Sequence, residues 1–170
     1  MDKIIGDKDI SRSRISKANK HTSVYSLSIN RNGNIIVCGN SNGNLRFWDT
    51  RINSHQCIFK VKGHADIVKS LVLNEDGNKC ISGGSDKIIK LWDIGEQGCT
   101  DSLYIHDDSI WTMAADSSWT TLYSAGKDKF IYSTNLVTLQ SQEIFQETHP
   151  VTDVTIIIYY CLLIVNIAFM

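Results

Sequence analysis

The sequence predicts an all-β chain, an open arc of a β-propeller with about three complete four-stranded blades and the start of a fourth. Three observations carry that prediction. Four histidines, His21, His64, His106 and His149, stand 43, 42 and 43 residues apart, and a period of about 40 to 45 residues marks propeller repeats. A strand-like run follows each histidine: VYSLSI at 24–29, VKSLVL at 68–73, IWTMAA at 110–115 and VTDVTI at 151–156. Two of these runs lead into matching turns, Asn30-Arg31-Asn32-Gly33-Asn34 and Asn74-Glu75-Asp76-Gly77-Asn78. Asn-Gly and Asp-Gly pairs read as tight type I′ hairpin turns, with positive φ at both central residues.

Residues 1–20 are polar, with six Lys/Arg against three Asp/Glu, and lack sustained periodicity, so they read as a mobile leader. The blades follow at 21–62, 63–105 and 106–147, with a partial unit at 148–156. Within each full unit, short second strands are expected at 35–38, 79–82 and 121–124. Third strands read LRFWD at 45–49, IIKLWD at 88–93 and the degenerate FIYSTN at 130–135. Fourth strands are expected near 57–61, 100–105 and 142–146. The Gly-His and Trp-Asp pairs that frame the best copy, Gly63 to Asp93, are those of the WD repeat. The stretch TIIIYYCLLIVNIAFM at 155–170 carries no charge. Residues 157–170 therefore read as an apolar tail in which repeat and period stop together, preferred as a non-native or truncated end over a sheet-like buried segment or a tail anchor. A membrane helix needs about 20 apolar residues and usually flanking Lys/Arg, and neither is present.

Composition narrows the function classes. Apolar residues make up 42% and charged residues 21% of the chain, as in ordinary globular domains. Beyond the leader the chain is mildly acidic, eleven Lys/Arg against fifteen Asp/Glu, so a basic stripe for direct nucleic-acid contact is missing. Five cysteines form no CxxC pair, and no metal site or cofactor is expected. They read as reduced thiols of a protein in the cytoplasm or nucleus.

His64, Ser82 and Asp86 are the residue types of a serine hydrolase. The set recurs as His106, Ser124 and Asp128, and no G-x-S-x-G elbow accompanies either copy. A structural reading fits better: His64, Ser82, Asp86 and Trp92 as a buried hydrogen-bonded tetrad that fixes a blade. The first unit has His21, Cys38, Asn42 and Trp48 at these places and the third has Thr134 for the tryptophan, so those blades are expected to be held less firmly. No catalytic residue is expected.

Binding positions are sought where the repeat varies. An apolar residue recurs at Val24, Val68, Ile110 and Val151, while the next position reads Tyr25, Lys69, Trp111 and Thr152. The residue before the turn aspartate changes from Ser85 to Lys127. Lys69, Trp111 and Lys127 are thus expected to cluster at one end of the arc as a partner-binding surface, since Trp beside cations is a hot-spot composition. The competing reading has Trp111 filling a gap between blades and the lysines solvated.

The run from His64 to Cys99, followed by YIHDDSIWTM and LYSAGKDKFIYSTNL, resembles the WD-repeat cofactor that activates ubiquitin-specific proteases. The resemblance covers roughly Asn19 to Thr155. Its distinctive part is the third unit, where a His-Asp-Asp loop leads into Ile-Trp and Ser133-Thr134-Asn135 replaces Trp-Asp. It implies a non-enzymatic adaptor that binds a ubiquitin-specific protease, with contact positions falling on Lys69, Trp111 and Lys127. Lys127 stands where the family has Arg, keeping the charge without the bidentate fork. The alternatives are an adaptor for another complex, such as a ubiquitin-ligase substrate receptor, or a tail-anchored membrane adaptor. In every case the open edges need the missing blades or another copy to cover them.

Overall fold

The computed structural model describes residues 22–52, 57–157 and 162–167. The leader and His21 lie outside them. The first sheet contains β1 (Val24–Ile29), β2 (Ile35–Asn40), β3 (Asn44–Asp49) and β4 (Phe59–Lys62). The second contains β5 (Val68–Leu73), β6 (Lys79–Gly84), β7 (Ile89–Asp93) and β8 (Gly98–Leu103). The third contains β9 (Ile110–Ala115), β10 (Thr121–Gly126), β11 (Phe130–Asn135) and β12 (Ser141–Gln146). Each sheet is an antiparallel meander in chain order. A two-stranded sheet of β13 (Val151–Ile157) and β14 (Leu162–Ile167) follows.

The apolar end thus continues the fourth unit into a second strand, paired from Val151↔Ile167 to Ile157↔Leu162. An uncharged run rich in Ile and Val suits a strand at least as well as a helix. Among the described residues no helix is long and apolar enough to cross a membrane.

The first hairpin turn of each blade corrects the type I′ expectation. Only the exit residue is left-handed, Gly33 at φ 71° and Gly77 at φ 76°. Its N–H donates to the carbonyl three residues back, Asn30 at 2.9 Å and Asn74 at 3.1 Å. The side chain of that first asparagine does the rest: Asn30 Oδ1 accepts from the N–H groups of Asn34 and Ile35, and Asn74 Oδ1 from those of Asn78 and Lys79. Asp116 plays the same part in the third blade through Thr120 and Thr121, with Trp119 at φ 56° in the glycine place. An Asx side chain holding two backbone donors supplies what a second positive φ would otherwise have to provide.

The core lies between blades. Val37, Leu45 and Phe47 of the first blade meet Val68, Cys80 and Trp92 of the second, and Ile81 and Ile89 of the second meet Ile110 and Met113 of the third. Val151 and Val154 close on Ala125 and Ile131. Both faces of the two inner sheets are therefore apolar, which accounts for strands that look hydrophobic on consecutive positions. Phe47 and Phe59 stack at 4.0 Å between centroids, filling the outer part of the first joint.

Candidate interaction surface on the bulged strands

The pairing of each innermost strand slips by one residue at the same repeat position. In the first blade Val24 faces Asn40 and Ser26 faces Gly39, so Tyr25 is the extra residue. The same slip leaves out Lys69 between Val68 and Ser70, Trp111 between Ile110 and Thr112, and Thr152 between Val151 and Asp153. A β-bulge takes a residue out of the ladder and re-aims its side chain, which frees that position from the packing rules of its neighbours. The variation from Tyr to Lys to Trp to Thr has this as its physical cause.

Two of the three residues selected from the sequence touch. Lys69 Nζ lies 5.3 Å from the Trp111 ring centroid, within reach of a cation–π interaction worth about 0.5–1 kcal/mol at an exposed site. Lys127 sits beside them through its backbone, its N–H donating to Ser109 O at 2.9 Å, while its ammonium pairs with Asp108 at 3.1 Å. Asp108 has its carboxyl held below the ordinary range, chiefly by the Ser109 N–H and then by Lys127. Lys87 adds a further cation, donating to Asp107 O at 2.7 Å. The sequence reasoning missed Asp108 and Lys87. Their signal was the His-Asp-Asp loop, where Asp108 reaches the lysine of the following turn, Lys127, and the Asp107 carbonyl reaches that of the preceding turn, Lys87.

The tetrad residues form one chain of hydrogen bonds. His64 Nδ1 lies 2.9 Å from Asp86 Oδ1, and its Nε2 2.7 Å from Ser82 Oγ. The Trp92 indole N–H donates to that same oxygen at 2.8 Å. With Asp86 accepting, the ring carries its proton on Nδ1, Nε2 accepts from the Ser82 hydroxyl, and every donor is used once. Ser82 is 0% exposed and its oxygen is already engaged by Trp92, so a substrate has no approach to it.

Burial pushes the pKa of His64 below 6.5, against the opposing pull of Asp86. The folded state therefore prefers neutral His64, and the unfolded chain binds more protons in acid. The resulting stability is complete above pH 6.5 and is lost as the pH falls from there through the depressed folded value. Urea midpoints measured across pH 5 to 8 are expected to fall on the acid side in the parent, with a smaller fall in His64→Gln; equal acid slopes would refute this origin.

In the third blade His106 Nε2 is 2.8 Å from Ser124 Oγ and Nδ1 is 2.6 Å from Asp128. Thr134, fully buried, replaces the tryptophan and pairs with the Ser141 hydroxyl at 2.8 Å. In the first blade Cys38 is buried at the serine position, and the turn is held by Asn40, whose Oδ1 accepts from Asn42 and Asn44 N–H groups. Cys38, Cys57, Cys80 and Cys99 are free thiols. Among the described residues no group of His, Cys, Asp or Glu is placed to hold a metal ion.

The WD40 family model, described as WD domain, G-beta repeat, matches residues 13–49 and 55–93. Two solved structures superpose on the chain with a TM-score of 0.73: "Crystal structure of RRP9 WD40 repeats" at 18% identity and "Structure of U3-55K" at 17% identity. Each alignment covers 80% of this chain but 42% and 43% of those chains, so this chain spans less than half of their length. At such identities the likeness shows the fold alone. With matched repeats in its first two blades and the same strand order, bulge and turn chemistry continued in the third, the chain carries WD40 repeats and has the WD40 propeller fold.

Proposed function

We propose that this chain is a non-enzymatic scaffold that binds a ubiquitin-specific protease through the bulged positions of its second and third blades. The carrying observation is the Lys69–Trp111 pair, 5.3 Å from ammonium to ring centroid, formed by residues that the repeat does not require. A partly buried indole already ordered by a cation loses little freedom on docking, and Trp flanked by cations is the composition of interface hot spots. The resemblance of the third unit, with His106-Asp107-Asp108 leading into Ile110-Trp111, supports the choice of partner.

Titration calorimetry with a purified ubiquitin-specific protease that binds such adaptors tests it. Trp111→Ala is expected to weaken binding by about 30-fold or more, the loss of a hot spot of about 2 kcal/mol. Lys69→Glu reverses the charge without opening a cavity and is expected to weaken binding as well. Binding unchanged in both variants, with unchanged urea midpoints, would overturn the reading.

A further inference from the structure

The joint between the second and third blades is built differently from the joint before it. Between the first and second blades the β5–β6 turn packs tightly, and a Cβ on Gly77 would stand 2.9 Å from both Asn30 Nδ2 and Ile35 Cγ1. Asn30 Nδ2 donates across that joint to Glu75 O at 3.3 Å, and Arg31 pairs with the Glu75 carboxylate at 3.0 Å. One joint along, Trp119 stands in the place of Gly77. At φ 56° it is held in a conformation that glycine adopts freely and a bulky residue rarely does. Asn74 and Glu75, in the places of Asn30 and Arg31, make no bond to the third blade among the described residues. A bulky residue kept in such a conformation, where the tight contacts of the neighbouring joint are lost, marks a place to look for binding.

The result is a groove of about 490 Å³ between two complete blades. Its two walls differ in chemistry. The second blade contributes Asp93, Glu96 and Asp101, with Lys79 beside them, and the third contributes Trp119, Leu136 and Val137. Leu136 and Val137 occupy the places of the buried Ile94 and of Gly95, and Val137 is 78% exposed. Asp93 Oδ1 accepts the Glu96 N–H at 3.0 Å. The carboxylates of Glu96 and Asp101 have neither a hydrogen bond nor an ion pair among the described residues. The groove opens at the end of the blades that carries the β5–β6 and β9–β10 turns, opposite the end where β5 and β9 begin with Lys69 and Trp111.

We infer that this groove is a second binding site, separate from the Lys69–Trp111 surface, for an extended segment of another protein in which basic and aliphatic residues alternate. Successive side chains of an extended chain point to opposite sides. One set therefore meets the carboxylates of the second blade, and the other meets the indole and aliphatic groups of the third. Unpaired carboxylates on one wall steer and orient a cationic segment, while the apolar wall takes its aliphatic side chains out of water. Trp119 has two parts in this: its bulk keeps the joint from closing as the first one does, and its ring supplies the wall.

Fluorescence anisotropy of a fluorescein-labelled hexapeptide of alternating Arg and Leu, titrated with the 170-residue chain, tests the inference. Saturable binding is expected, about tenfold or more tighter than for the hexapeptide of alternating Glu and Leu, and weaker as salt is raised. Glu96→Gln combined with Asp101→Asn keeps the shape of the rim and is expected to weaken binding about tenfold. Trp119→Gly restores the residue that the turn favours and is expected to abolish binding; should it lose its sheet by circular dichroism, the isosteric pair decides alone. Trp111→Ala is expected to bind the hexapeptide as the parent does, so this site and the proposed protease surface fail separately. No saturable binding, equal affinity for the two hexapeptides, or affinity unchanged in the Glu96→Gln and Asp101→Asn variant overturns the inference. Full binding by a folded Trp119→Gly overturns it equally.

Discussion

Trp92→Ala is expected to lower stability by about 3–5 kcal/mol, the range for truncating a buried tryptophan, read as a fall in the urea midpoint followed by circular dichroism. Trp92 is buried in the joint between the first and second blades with Leu45, Phe47 and Val68. Its ring lies so close to Gly63 that a Cβ there would meet Cζ2 at 2.7 Å. Alanine removes the ring from that joint and also deprives Ser82 Oγ of the indole donor at 2.8 Å. Trp92→Phe separates the two losses, since it keeps most of the apolar contact and removes only the N–H. The phenylalanine variant is expected to cost about 1–2 kcal/mol, mostly the missing hydrogen bond and the misfit of a smaller ring. A Trp92→Ala midpoint close to that of the parent would mean that the blade joint collapses around the space and that the tetrad contributes little.

The third blade shows why that loss is not inevitable at every repeat. Thr134 has the same place without an indole, and the Ser141 hydroxyl at 2.8 Å gives it a partner instead. Replacement of the tryptophan was visible in the sequence, but the compensating serine was not, because no repeat motif assigns a meaning to that position.

What was legible follows a physical rule. Groups tied within one repeat unit could be read, because their spacing recurs: His64 with Ser82 and Asp86, 18 and 22 residues on, and again His106 with Ser124 and Asp128. Joints between blades could not. Ser26 and Thr112 read as ordinary strand hydroxyls, yet they reach Val68 and Val154 across about 42 residues. The surface was half legible. Variation at Lys69 and Trp111 could be seen, whereas its cause, a one-residue slip in pairing, exists only once two strands are aligned. The turn type was misread because Asn-Gly chemistry permits two geometries, and the choice rests on Asn30 and Asn74 reaching forward to two backbone N–H groups.

Gly43→Ala is expected to cost about 2–5 kcal/mol, by a route that no motif search would rank. Gly43 is left-handed at φ 77°, and a side chain in that conformation costs roughly 1–2 kcal/mol. A Cβ there would also stand 2.0 Å from His64 O, a backbone atom that cannot swing aside, so the loop itself must move at a further cost of about 1–3 kcal/mol. That loop is already bound to Gly43, whose carbonyl accepts the N–H groups of Gly63 and His64, both at 3.0 Å. Displacing it pulls on His64 and on its bond to Asp86 in the next blade, so the variant is also expected to lose part of the acid dependence attributed to His64. Gly98→Ala is the control, since a Cβ there meets only Glu96 O at 3.8 Å and φ is not positive; a change within about 0.5 kcal/mol is expected. Equal midpoints for the two variants would mean that the Gly43 turn relaxes freely, and the first and second blades would then be held by their apolar faces without help from this backbone junction.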